Sequence, residues 1–280
     1  MTDDARRELA EFLRARRTRL LPRDVGLEPG PRRRVAGLRR EELALLAGVS
    51  ADYYQRMEQG RDVRPSDQVL DALARALNFS AEEARHLHSL AAAARTSARA
   101  PRVHEPEEVP ATTLRLLRTT TSPALVVGRF LDVLAWNPVA GALLSGFTDL
   151  LDNGLNLLAL LLHPEADHAC PNRAATVAEL TAMLRVQVAA EPGHPRAAEL
   201  VGELAVRSDE FATLWARHDV EGTTRGRMRV DHPLVGELEL DWDAYPMPGA
   251  PGPFLIVYTA PPGSPDEERL QLLTGLLDRP

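Results

Sequence analysis

Lysine is absent from the chain: all 33 basic side chains among its 280 residues are Arg. Cysteine is nearly absent too. The single Cys170 excludes an intramolecular disulfide framework and fits a reducing compartment. No apolar run exceeds Leu157–Leu162, which is far too short to span a bilayer, and the polar, charged start is unlike a secretory signal. The protein is therefore expected to be soluble and cytoplasmic, with no membrane partner. No internal repeat is present. Also missing are a GxSxG elbow, a phosphate-cradling glycine loop and an HExxH pair, so no catalytic residue is assigned and the chain reads as a non-enzyme. His163, Glu165, His168 and Cys170 match no familiar ligand spacing, and Pro164 and Pro171 put them on a loop, so no metal is expected.

What is present is a charge split. Residues 1–100 hold 19 Arg against 15 acids, whereas residues 101–280 hold 14 Arg against 25 acids. The basic part concentrates between Arg6 and Arg40, with 12 Arg against 4 acids, including Arg14, Arg16, Arg17, Arg19 and the run Arg32–Arg34. Such a cluster would neutralise phosphates and give salt-dependent affinity for nucleic acid. Directly after it comes LRREELALLAGVSADYYQRMEQG, Leu38–Gly60. Leu43, Ala44 and Ala47 recur at helical spacing and share one buried face. Gly48 ends that helix, Val49 plugs the corner, and Ser50 caps a second helix over about Ala51–Gln59. Within it Tyr54 and Met57 face inward, which leaves Ala51, Asp52, Gln55 and Arg56 outward.

These residues resemble the lambda-repressor-like helix-turn-helix of the XRE family, through Arg40, Leu43-Ala44, Gly48-Val49-Ser50 and Glu58-Gln59-Gly60. The resemblance implies a DNA-binding surface formed by Arg39, Arg40, Ser50, Ala51, Asp52, Tyr53, Gln55, Arg56 and Arg61. In it Arg40 touches the phosphate backbone, and Ala51, Asp52 and Arg56 read bases. A guanidinium at Arg56 suits guanine O6 and N7, while Ala51 offers a methyl contact to thymine. Asp52 either accepts from cytosine N4 or pairs with Arg56 at i, i+4.

Around the motif, Asp3–Leu20 reads as an opening helix with Leu9, Phe12 and Leu13 apolar. Ser66 starts another with Val69, Leu70, Leu73 and Leu77 inward, and Ser80 with Glu83 forms a capping box for a fifth. Residues 1–95 are read as the DNA-binding domain, 96–110 as a linker and 111–280 as a second domain. Strands are expected over Ala124–Val127 and Val133–Trp136, then a helix-rich middle. Arg227–His232 and Gly236–Asp243 alternate as a hairpin with cross-strand Arg–Glu pairs on the wet face. Phe254–Tyr258 reads as a central strand covered on both faces, and Pro265–Leu277 as a last helix. Together these predict an all-α five-helix domain followed by an α+β domain with an antiparallel sheet.

The segments Pro123–Arg129, VLAWNP (Val133–Pro138), WARHDV (Trp215–Val220), HPLVGEL (His232–Leu238) and VYTAPPGS (Val257–Ser264) resemble the ligand-binding domain of MmyB-like transcription regulators. The resemblance implies a PAS-like sensor that binds a small apolar or fatty-acid-like molecule, with no other cofactor. Trp136, Leu157, Leu158, Leu161, Met183, Trp215 and Phe254 are candidates to wall its pocket, with Arg185 or His218 as polar anchor. The expectation is a homodimeric, ligand-responsive transcription regulator. Its alternatives are a second domain that serves only dimerisation, one that converts a metabolite, and a helix-turn-helix that binds protein.

Overall fold

The computed structural model describes residues 2–28, 35–61, 63–95, 107–144, 155–164, 166, 170–191, 193–220, 224–247 and 252–277. The chain forms two compact units: 1–103 with 185–203 and 212–222, and 104–184 with 204–211 and 223–280.

The first unit carries α1 (Thr2–Arg19), a 3-10 turn (Pro22–Val25), α2 (Arg40–Leu46), α3 (Ala51–Glu58), α4 (Asp67–Ala76) and α5 (Ala81–Arg95). Leu9, Phe12 and Leu13 of α1 are buried against Leu87 and Leu90 of α5, and Leu70, Leu73 and Leu77 close the same core. The expected caps form. Ser66 Oγ accepts from Val69 N, and Ser80 and Glu83 exchange the two bonds of a capping box. The start of α2 is pinned to the end of α1 at Gly37, where a Cβ would lie 2.1 Å from the Thr18 carbonyl oxygen. Leu38 N then donates to the carbonyls of Arg17 and Leu20.

The core of this unit also includes Ala189 and Val220, with Val186 packed alongside. They come from α9 (Arg173–Ala190) and from the chain after α11 (Asp209–Ala216). Apolar side chains supply the reason, since their burial removes surface from water however distant they are in sequence. The linker expected at 96–110 lies mostly outside the described residues.

The second unit has α6 (Ala111–Thr119), β1 (Ala124–Val127), β2 (Val133–Trp136), α7 (Pro138–Leu143), α8 (Leu157–Leu161), β3 (Arg225–His232), β4 (Gly236–Pro246), β5 (Phe254–Thr259) and α12 (Pro265–Leu277). The connecting α10 is Pro195–Arg207. Its five-stranded sheet is antiparallel throughout, in the order β2-β1-β5-β4-β3, as the α+β, PAS-like reading requires. Opposed pairs such as Val230↔Leu238, Met228↔Leu240 and Trp242↔Tyr258 line the inner face. β5 is central as expected, but only Ile256 and Tyr258 are buried; Leu255 and Val257 on its other face are half-buried. On the wet face of the hairpin Arg229 Nε donates to Glu239 at 2.6 Å, and Arg227 bonds both Glu239 and Asp241. The bond from Arg229 holds the Glu239 carboxyl below its ordinary value.

The NP of the VLAWNP segment earns its place locally. Asn137 Oδ1 caps α7 by accepting from Ala140 N at 2.9 Å and also accepts from Ala124 N, while its amide donates to the Ser122 carbonyl at 2.8 Å. One buried side chain thereby joins β1, the end of β2 and α7. Asn156 does the same for α8, accepting from Leu158 N and donating to the Phe130 carbonyl at 2.7 Å.

Candidate nucleic-acid interface

The glycine corner is built as its sequence dictates. Leu43, Ala44 and Ala47 are buried, Gly48 takes φ +66°, and Val49 N closes back on the Ala44 carbonyl at 2.9 Å. Ser50 Oγ accepts from Tyr53 N at 3.1 Å, so its hydroxyl is engaged as the cap of α3. Tyr54 and Met57 are buried beneath, and Ala51, Asp52, Gln55 and Arg56 are exposed on the opposite side. Arg39, Arg40 and Arg61 are exposed as well. Tyr53 is half-buried and packs against the domain core, which leaves only part of its ring to present. No ion pair joins Asp52 to Arg56 among the described residues, so Asp52 keeps its carboxylate for another partner.

Beneath this surface runs a charge relay that the sequence reading missed. The Glu58 side chain is fully buried and bridges two cations. Arg17 donates to it through Nη2 at 2.6 Å and Nε at 3.1 Å, and Arg40 donates through Nε at 3.0 Å. Burial pushes the Glu58 carboxyl up, but the bonds from Arg17 and then Arg40 outweigh it and hold the group below its ordinary value. Arg17 Nη1 also donates to the Leu38 carbonyl at 2.6 Å, which fixes the entry to α2. A signal existed: Glu58 stands four residues after Tyr54 and so falls on the inward face of α3.

The relay takes members away from the basic cluster expected to neutralise phosphates. Arg17 is spent on Glu58, Arg16 pairs with Glu83 and Asp219, and Arg19 pairs with Asp219. Arg16 and Arg17 are internal fasteners, whereas Arg19 stays half exposed in its pair. Arg14 remains exposed, and Arg32–Arg34 lie outside the described residues.

The five candidate ligand residues fall in both units. Leu158 is buried in α8 of the second unit, and Trp136, 41 % exposed, ends β2 with its indole against Gly141. Leu157, Leu161 and Met183 are buried there, and Phe254 is half-buried. Arg185, Trp215 and His218 instead belong to the unit that carries the helix-turn-helix. Arg185 is 1 % exposed, its guanidinium lies 4.0 Å from the Trp215 ring centroid, and Nη1 is 3.1 Å from His218 Nδ1. Nη2 donates to the Trp215 carbonyl. Burial lowers the pKa of Arg185 to about 10 and, with the neighbouring Arg185, that of His218 to about 4. His218 is thus a neutral imidazole whose Nδ1 accepts from Arg185.

Among the described residues no group of three or more His, Cys, Asp or Glu side chains could hold a metal; Glu165 and His168 lie outside them. The Cys170 thiol is buried, and burial raises its pKa. No helix among the described residues is long and apolar enough to cross a membrane.

A glycine-cornered helix pair with an exposed polar face has the form of a helix-turn-helix, and it is joined in one chain to an α+β unit. Residues 8–87 match a helix-turn-helix domain, and residues 109–273 match the MmyB-like transcription regulator ligand binding domain. The second match spans more than half of the chain, which belongs to the MmyB-like transcription regulator family. Both families are of regulator type. No curated protein matches the chain.

Proposed function

We propose that the protein is a sequence-specific DNA-binding regulator whose second unit senses a small apolar or fatty-acid-like molecule. The observation that carries the reading is the outer face of α3, where Ala51, Asp52, Gln55 and Arg56 stand exposed over a core closed by Tyr54 and Met57. That face has the size and chemistry of a major-groove reader, with Arg56 suited to guanine and Asp52 to cytosine N4. Arg40, held by Glu58 beside it, suits a phosphate. Two copies in a homodimer would set their reading helices on half-sites about 34 Å apart.

For the sensor, the support is the family match together with the burial of Leu157, Leu158, Leu161 and Met183 in the same unit. Trp136 and Leu158 remain its candidate ligand contacts. Arg185, with Nη1 on His218 and Nη2 on the Trp215 carbonyl, is bonded within the unit that carries the helix-turn-helix, so these three are proposed as internal contacts rather than ligand contacts.

A mobility-shift titration against the protein's own promoter region at two salt concentrations tests the first clause. Arg56→Ala should lose about 1–3 kcal/mol of binding and relax one base preference, whereas Arg40→Ala weakens all sequences alike. Equal affinity for scrambled DNA sinks the reading. Mass spectrometry of the denatured protein, searching for a co-purified acyl compound, tests the second clause.

A further inference from the structure

The match to the ligand-binding family covers residues 109–273, yet 185–203 and 212–222 within it belong to the DNA-reading unit. The helix α9 is continuous across this division: residues 173–184 count with the sheet and 185–190 with the helix-turn-helix. Arg185 stands at the point of change. We propose that residues 185–190 and 215–220 are a latch, fastened by Arg185 and Asp219, through which the ligand-binding unit sets the state of the DNA-reading unit.

The fastening is dense and lies wholly inside the reading unit. Arg185 binds His218 and the Trp215 carbonyl, stacks on the Trp215 ring and lies 3.9 Å from Glu8 of α1. Asp219 takes Arg16 at 3.5 Å and also Arg19, both of α1, and Ser89 of α5 donates to the Ala189 carbonyl at 3.4 Å. α1 is the helix whose Arg17 orients Glu58, and through it Arg40. A shift of α9 therefore reaches the reading surface by a contiguous chain of packed and bonded groups.

The latch also shows the marks of an element with a second arrangement. His218 is a non-glycine residue at φ +54°, a conformation that side-chain-bearing residues seldom adopt without stored strain. Arg185 Nε, Arg16 Nε and both ring nitrogens of His86 are buried without a protein partner. His86 lies edge-on to Phe12 of α1 at 4.9 Å and feels the charges of Arg185 and Arg16. A simple core would use apolar side chains here; a polar cluster left partly unsatisfied is held less tightly.

This inference rests on the regulator reading, and the test separates the two. In the full chain, affinity for a duplex selected in vitro is measured by anisotropy for the wild type, for Leu158→Trp, for Arg185→Met with Asp219→Asn, and for all three changes together. Asp219→Asn alone serves as a mild latch variant should the buried Arg185 change impair folding. Leu158→Trp, which crowds the sensor interior, should shift affinity about fivefold or more. With the latch loosened, the same change should shift it less than twofold. An undiminished shift in the loosened background, or no shift in the wild type, overturns the latch. Dodecanoate added to the wild type provides the separate arm. No response to it, alongside a Leu158→Trp effect that the latch variants abolish, removes the fatty-acid reading and retains the latch. A dodecanoate response that the latch variants leave intact does the reverse.

Discussion

Glu58 is a buried carboxylate held between two guanidinium groups. Removing one member of such a set leaves an uncompensated charge. Glu58→Ala should cost about 3–5 kcal/mol in chemical denaturation, and Glu58→Gln less, since it keeps the shape and part of the bonding. Two imidazoles make a separate, pH-dependent demand. Burial depresses His86 to about 3, aided by the charges of Arg185, His218 and Arg16; burial and the same two arginines depress His218 to about 4, against Asp219, which raises it. Glu11 Oε2 also faces His218, 3.9 Å from Nε2. Because the folded values lie below the unfolded 6.5, the unfolded chain takes up protons first as pH falls. Stability is full above about pH 6.5 and declines until the folded imidazoles titrate near 4 and 3, by about 1.4 kcal/mol for each tenfold difference in proton affinity. The lowered Glu58 carboxyl adds a loss that begins only below its ordinary value of 4.5. His86→Leu, which removes two unpartnered nitrogens, should flatten the upper part of this acid limb in thermal melts between pH 4 and 7. An unchanged slope would locate the acid sensitivity elsewhere.

Among the elements, the approach of α2 to α1 depends on a missing side chain. At Gly37 a Cβ would stand 2.1 Å from a backbone oxygen that cannot rotate away, so Gly37→Ala must displace the entry to α2. We expect loss of DNA binding together with a lowered melting temperature; a variant that melts and binds like the wild type would refute the close approach. In the second unit, Asn137→Ala strips the cap of α7 and leaves Ala124 N and the Ser122 carbonyl without their bonds. About 1–3 kcal/mol for a buried unsatisfied group, on top of about 1 kcal/mol for the cap, is the loss to be read from a denaturation midpoint. Elements of this kind were legible in the sequence. The alternation of Met228, Val230, Leu238 and Leu240 against Arg227, Arg229, Glu237 and Glu239 gave strands, faces and ion pairs together. Ala44, Ala47 and Gly48 fixed the helix corner because close packing and a positive φ admit few other residues. What escaped was the destination of α9. Its run of Ala, Val, Leu and Met is apolar on nearly every side, so no single stripe points to one partner. Nor does local spacing reveal that Asp219 meets Arg16 and Arg19, about two hundred positions earlier.

At the scale of the molecule, sequence order and unit membership part company, and this has a measurable result. A fragment ending at residue 95 keeps all five helices but lacks Ala189, Val220 and Val186 from its core and Asp219 from its charge pairs. Such a fragment should melt below the reading unit of the full chain, with His86 and Leu90 more open to solvent. Equal melting temperatures would show that the returning segments add nothing.

The hairpin makes one demand on how copies of this chain could meet. β3 is the outermost strand on one side of the sheet, and its solvent-facing positions carry Arg225, Arg227, Arg229 and Asp231. A foreign strand laid along that border would have to strip water from a row of guanidinium groups already matched to carboxylates on β4. The charges on this border, with Asn172 already bonded to the Arg227 carbonyl and to Arg229 N, therefore oppose ladder extension by a foreign strand.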